Sequence, residues 1–182
     1  MKRIALFTGT RAEYGLMRTL IINLINDDQF DFHLLVSASH LSHKFGKTIK
    51  EIELDGIKVF YKLPIELYNP YELDMPYQTA DTIKVVSKTL IKIDPEYLIV
   101  LGDRYETFAA ATAAHLLGIK IVHIHGGETT LGAIDDKLRH AISQLSTWHF
   151  TAAEKYRKRV IEMGHDNKKV FMVGPLAIDG IA

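Results

Sequence analysis

Short β-rich runs alternate with helix-period segments along all 182 residues, and that alternation constrains the fold more than any other feature. Arg3–Thr8 reads as a buried strand. Tyr14–Asn26 then carries Leu16, Met17, Leu20, Ile21, Leu24 and Ile25 at helical spacing. Further strands are predicted at Phe32–Ser37, Ile57–Tyr61, Tyr97–Leu101, Lys120–Ile124, Trp148–Thr151 and Val170–Val173. Between them lie a helix at Thr48–Leu54 closed by Gly56 and an apolar face of Ile83, Val86, Leu90 and Ile93 ending near Pro95. Helices follow at Thr107–Leu117, through Arg139–Leu145, and at Ala153–Met163, with Gly118 and Gly164 as stops. Leu63–Met75 holds Pro64 and Pro70 and reads as a loop. Such βα alternation predicts an α/β fold: a doubly wound, mostly parallel sheet with helices on both faces. Ligands of such sheets sit beyond the carboxyl ends of strands, where the strand order reverses. With an assumed order 3-2-1-4-5, strands one and four flank that point.

Three polar loops follow strands: Gly9–Glu13, Gly102–Glu106 and His125–Asp136. The stretch His123–His140 carries His123, His125, His140, Glu128, Asp135, Asp136, Arg139 and the pair Gly126-Gly127. A core has no use for that density of ionisable groups, because burying unpaired charge costs several kcal/mol. In the first loop, Gly9 permits a tight turn, free N–H groups at the helix start attract anions, and Arg11 offers a bidentate phosphate contact. The bland alternative is a plain turn with Arg11 on the surface. The spacing is not the GxGxxG dinucleotide fingerprint. In the second loop, Asp103 is either the cap of the next helix or, with Arg104 and Glu106, part of a site. In the third, His123 reads as a satisfied core histidine and His125 faces either the crevice or the opposite layer. Gly126 and Gly127 allow close backbone approach to a ligand, and Glu128 is a candidate acid or base. One of Asp135 and Asp136 is expected to cap the next helix while the other points at substrate. The candidate catalytic residues are thus Asp103, His125, Glu128, Asp135 and Asp136. Gly9, Arg11, Glu13, Arg104, Gly126, Gly127 and Arg139 are the candidate substrate-binding residues. His33, His40, His43, His115, His149 and His165 read as packing or surface residues.

Lysine plus arginine equals aspartate plus glutamate at 22 each, which gives no electrostatic case for nucleic acid or an anionic membrane. The absence of cysteine excludes disulfides, zinc–cysteine sites and thiol catalysis, and fits a reducing cytoplasm. The N-terminal MKRIALFTGTRAEYG has too short an apolar run for a signal peptide. No apolar stretch approaches the ~20 residues of a membrane span. HxH followed by scattered acids matches no strong metal-ligand spacing, and nothing calls for a redox cofactor.

GTRAEYG, LGDRYE, HIHGGETTLGAIDDKLRHAIS and EKYRKRVIEMG…VFMVG, in this order, resemble the hydrolysing UDP-N-acetylglucosamine 2-epimerases of bacterial sialic-acid-type pathways. The resemblance runs from Met1 to about Asp179. It implies two Rossmann-like domains of the GT-B type, with this chain as the N-terminal one. Residues 1–174 would form that domain and 175–182 the start of the interdomain linker. A second domain would grip most of the UDP and supply a further catalytic histidine. The implied chemistry is removal of the C2 proton, expulsion of UDP to leave a glucal, and addition of water with inversion at C2. By the same resemblance Asp103 matches the acidic residue after the fourth strand, Asp135 or Asp136 the later one, and Arg11 holds diphosphate. Some relatives carry glutamate where this chain has His125, so either Glu128 takes that role or His125 transfers the proton itself. The resemblance further implies a UDP-sugar substrate and homo-oligomers. Three alternatives remain open at this point: a UDP-diacetamido-trideoxy sugar as substrate, a non-hydrolysing epimerase, and a non-catalytic nucleotide-sugar-binding module.

Overall fold

The computed structural model describes residues 1–42, 46–57, 61–65, 74–129 and 134–178. Seven parallel strands lie in the order β3-β2-β1-β4-β5-β6-β7. They are β1 (Lys2–Thr8), β2 (Phe30–Ser37), β3 (Tyr61–Leu63), β4 (Tyr97–Leu101), β5 (Lys120–Ile124), β6 (Trp148–Thr151) and β7 (Val170–Met172). The helices are α1 (Arg11–Asn26), α2 (Ile49–Leu54), α3 (Asp74–Ile93), α4 (Tyr105–Leu116), α5 (Ile134–Leu145) and α6 (Glu154–Glu162). The assumed 3-2-1-4-5 order holds, and β6 and β7 extend it.

The chain moves outward from β1 to β3, then returns to β4 and continues the other way. Right-handed crossovers therefore put α1 and α2 on one face of the sheet and α3, α4 and α5 on the other. Alternate residues of each strand serve the two layers. Ile4 and Leu6 pack with Met17 and Ile21 of α1, while Ala5 and Phe7 pack with Val86 and Leu90 of α3. Five fully buried alanines of α4 (109, 110, 111, 113 and 114) let that helix lie close to the sheet. The reversal falls between β1 and β4, so the loops after these strands open side by side.

Two sequence expectations move. The third strand sits at Tyr61–Leu63, paired with Leu35–Ser37, and shares only Tyr61 with the predicted run. Ile57 is instead the end of the α2 turn: its N–H bonds to the Ile52 carbonyl at 3.3 Å and its side chain is buried. Residues 58–60 lie outside the described residues, as do 66–73 of the expected loop, whose last residue Met75 is already helical. Helix α5 starts at Ile134, a full turn before the predicted segment. Among the described residues, no helix is long and apolar enough to cross a membrane.

Candidate active site

A crevice of about 330 Å³ opens at the carboxyl ends of β1, β4 and β5. Thr10, Ala12, Glu13 and Leu16 line it from the first loop and α1, Leu101–Arg104 from the second loop, and His125, Glu128, Asp135 and Arg139 from the third loop and α5. The three polar loops therefore meet in one place. Of the candidate residues, Asp103, His125, Glu128, Asp135, Glu13, Arg104 and Arg139 line the crevice, and Gly9, Arg11, Gly126, Gly127 and Asp136 do not.

Arg139 organises the centre. It is 7% exposed, and its guanidinium holds Asp103 through Nη2 and Glu128 Oε2 through Nη1 at 3.1 Å. One buried cation thereby fixes two carboxylates from different loops and offsets their mutual repulsion. Its Nε atom is buried and has no hydrogen-bond partner among the described residues. Asp103 is not a helix cap. The cap position of α4 is Arg104, whose side chain makes no capping bond and instead grips Glu106 with two bonds of 3.1 Å.

His125 stands beside this cluster. Its backbone is left-handed at φ 63°, an uncommon state for a residue with a side chain. The conformation is held by its N–H to the Phe150 carbonyl at 2.9 Å. Nδ1 lies 3.7 Å from Glu128 Oε1, and Nε2 accepts the Leu176 N–H at 3.3 Å. Burial holds the imidazole below its ordinary pKa; Glu128 pulls it up and Arg139 pushes it down. A neutral ring here is able to accept or relay a proton.

Glu13 serves the fold as well as the crevice. Thr10 and Glu13 form a reciprocal capping box at the start of α1. Its Oε2 accepts the N–H groups of Gly9 at 2.7 Å and Thr10 at 3.1 Å, and its Oε1 accepts the Thr107 hydroxyl at 3.2 Å. Burial pushes its carboxyl up to about 7; the Gly9 amide pulls it down and neighbouring Glu106 pushes it up. His123 is a core histidine as expected. It is fully buried between the Gly102 carbonyl at 2.8 Å and the Ser143 hydroxyl at 3.1 Å, and burial lowers its pKa to about 4.

The structure places three sets of candidates away from where the sequence suggests. Gly126 and Gly127 turn their Cβ side toward protein. A Cβ on Gly126 would lie 2.9 Å from Ser143 Oγ, and one on Gly127 would lie 2.5 Å from the Tyr156 carbonyl. Arg11 points away from the crevice into a groove between α1 and α2 and pairs with Glu51 at 2.9 Å. Neither Asp135 nor Asp136 precedes α5 as its cap, because both lie in its first turn; Asp135 lines the crevice and Asp136 lies 3.9 Å from His140. The Leu176 contact was invisible in sequence, since 51 residues separate it from His125. Thr107 was equally hidden inside an Ala-rich helix pattern. Among the described residues, no group of three or more metal-binding side chains is gathered.

Fold and site together define a Rossmann-like α/β domain of the GT-B type, with acid–base groups collected at the switch point of its sheet. A family model described as UDP-N-acetylglucosamine 2-epimerase matches residues 23–182, and the chain belongs to that family. It is 38% identical to a GDP/UDP-N,N'-diacetylbacillosamine 2-epimerase (hydrolyzing) of Campylobacter jejuni, over 97% of this chain and 46% of the relative. It is 36% identical to a UDP-N,N'-diacetylbacillosamine 2-epimerase (hydrolyzing) of Legionella pneumophila, over 100% of this chain and 48% of the relative. Among solved structures, UDP-GlcNAc 2-epimerase from Neisseria meningitidis bound to UDP-GlcNAc superposes with a TM-score of 0.86 at 26% identity, covering 100% of this chain and 48% of that one. The chain spans about half the length of the curated relatives it matches.

Proposed function

We propose that this chain supplies the proton-transfer half of a hydrolysing UDP-sugar 2-epimerase acting on UDP-N-acetylglucosamine. The observation that carries the reading is the Arg139 clamp, which sets Asp103 and Glu128 beside a neutral-leaning His125 in one crevice. A base removes the C2 proton. The C1–O bond breaks, its electron pair leaves with UDP, and a C1=C2 bond forms. Water then delivers its oxygen to C1 while a proton is added to C2 from the opposite face, giving free N-acetylmannosamine. His125 or Glu128 is the base on one face, and Asp103 and Asp135 are the remaining acid–base groups. Arg139 and Arg104 hold carboxylates in position. A second domain, joined after about Gly174, closes the cleft and carries most of the diphosphate, and Arg11 joins that task on leaving Glu51. Homo-oligomers in the cytoplasm belong to the same reading.

The two relatives at 38% and 36% identity favour a second substrate, a UDP-diacetamido-trideoxy sugar, for the same reaction. Proton NMR in heavy water tests both readings, using this chain and a longer polypeptide carrying the second domain. Free 2-epimer with deuterium at C2, appearing together with UDP, is expected from the longer protein and only weakly or not at all from the 182-residue chain. A UDP-linked epimer would replace hydrolysis by simple epimerisation. No reaction with either sugar would leave a binding module.

A further inference from the structure

The last described segment of the chain folds back onto the crevice. The final bond tying it to the sheet runs from the Val173 N–H to the Thr151 carbonyl at 3.0 Å. Gly174 then turns with φ +86°, a left-handed state that glycine adopts without strain. Pro175 has no N–H to give. A short 3-10 turn, Leu176–Ile178, begins at once and is closed by the Ile178 N–H on the Pro175 carbonyl at 3.2 Å. This turn delivers the Leu176 N–H to His125 Nε2.

We propose that the Gly174–Leu176 turn is a clasp that sets the tautomer of His125. The Leu176 amide occupies Nε2, keeps the ring proton on Nδ1 toward Glu128, and leaves Nε2 free to take a proton only when the turn moves away. A nitrogen that accepts an N–H has its lone pair engaged and carries no proton of its own. In the neutral ring the single N–H must then be on Nδ1, the side that faces Glu128 Oε1 at 3.7 Å. The other charged groups of the crevice are Glu13 from α1, Asp103 and Arg104 before α4, and Asp135 and Arg139 from α5. None of them is placed on Nε2 by a hydrogen bond; the backbone of the turn is. Movement of the chain beyond β7 is thereby coupled to the histidine that lines the crevice. The role of His125 in turnover rests on the function proposed above, whereas its tautomer does not.

The test is nitrogen-15 NMR of the 182-residue chain without substrate. A through-hydrogen-bond coupling between the Leu176 amide nitrogen and His125 Nε2 is expected, with imidazole shifts of the Nδ1–H form. Leu176→Pro deletes the donor at the first position of a turn, where proline is tolerated. Leu176→Ala keeps the N–H and removes the side chain. The proline variant should shift protonation toward Nε2 and raise the His125 titration by roughly half to one pH unit, the equivalent of one ordinary hydrogen bond. The alanine variant should titrate like the parent. Absence of the coupling, an Nε2–H ring in the parent, or equal shifts in both variants would each overturn the clasp. The coupling is read on the parent chain, so an unfolded proline variant does not shelter the idea. The coupling in the 182-residue chain, together with no turnover of either sugar by the longer protein carrying the second domain, would refute the proposed function and leave the clasp standing.

Discussion

Acidification should destabilise this domain well above the carboxylate range, because its core holds neutral histidines. His40, His123 and His149 are all fully buried. Burial lowers His40 and His123 to about 4 and His149 to about 3, from an ordinary 6.5. His40 is lodged between the hydroxyls of Thr8 at 3.1 Å and Thr48 at 2.9 Å. His149 meets His165 at 3.1 Å, and its Nδ1 has no partner among the described residues. The unfolded chain binds protons at these sites below pH 6.5 and the folded chain does not until near pH 4 or lower. Stability is therefore complete above about 6.5 and falls as the pH drops through that window. From pH 8 to 5 each histidine removes about 2 kcal/mol, on the order of 6 in total.

Glu13 works in the opposite direction. Its folded pKa of about 7 lies above the ordinary 4.5, so the folded chain binds the extra proton between those values. Over the same span it returns about 2.5 kcal/mol. The net loss is roughly 3 to 4 kcal/mol at pH 5, a large share of the total stability of a typical domain. Urea unfolding at pH 8, 6.5 and 5, followed by circular dichroism and by Trp148 fluorescence, measures it directly. Glu13→Gln removes the opposing proton while keeping an acceptor for Gly9, so its loss over this range should grow to about 6 kcal/mol. In Glu13→Gln, where no opposing proton remains, unfolding free energies that stay within about 1 kcal/mol from pH 8 to 5, too flat for even one of these histidines to contribute in full, would refute the assignment of neutral, desolvated imidazoles.

Arg139→Met strands Asp103 and Glu128 against each other and should cost about 2 to 3 kcal/mol in urea unfolding, below the range for fully buried pairs because both carboxylates are partly exposed. At least half of that should return when Asp103→Asn and Glu128→Gln are added, and no recovery would count against the clamp. Gly127→Ala combines φ +77° with a Cβ 2.5 Å from the Tyr156 carbonyl, whereas Gly118→Ala meets only φ +74° and open space. The first should cost at least about 2 kcal/mol and the second about 1; equal costs would show that the contact with α6 relaxes freely. Asp103→Asn in a protein carrying both domains should lower kcat by on the order of 10²- to 10⁴-fold while the folded state persists. Near-normal turnover would remove Asp103 from the chemistry.

Strands β4, β5 and β6 were legible to the residue, because each is a short apolar run bounded by Pro, Gly or Ser/Thr signals and buried on both faces. The edge strand β3 was not. Only three of its residues pair, and the apolar Ile57 that suggested a strand closes the α2 turn. At the crevice, sequence marked the right loops but not the division of labour inside them. Gly126-Gly127 has the look of a ligand loop, and only the fold shows that the Ser143 hydroxyl stands beside Gly126 and an α6 backbone carbonyl beside Gly127. Thr10-x-x-Glu13 is a readable capping box, yet a glutamate in a glycine-flanked loop invites a binding role as readily. The Arg139 bridge needed the fold itself, since Asp103 lies 36 residues away in sequence.

The charge balance of the crevice bears on what the second half of such an enzyme must do. Among the described residues, four carboxylates line it, Glu13, Asp103, Glu128 and Asp135, against two guanidiniums. Both cations already hold carboxylates, Arg104 on Glu106 and Arg139 on Asp103 and Glu128. Arg11, at the same end of the sheet, is parked on Glu51 outside the crevice. A diphosphate brought here alone would meet an acidic surface whose positive groups are spent, and like charges at close range cost several kcal/mol in a low-dielectric cleft. A sugar carbon that must lose and regain a proton meets the opposite situation, a cluster of acid–base groups fixed by a buried arginine. On the function proposed above, the crevice suits the proton transfers better than the anion. Binding energy for a nucleotide is then expected, on that same function, from release of Arg11 by Glu51 and from cations carried on another domain, with turnover dependent on both halves closing together.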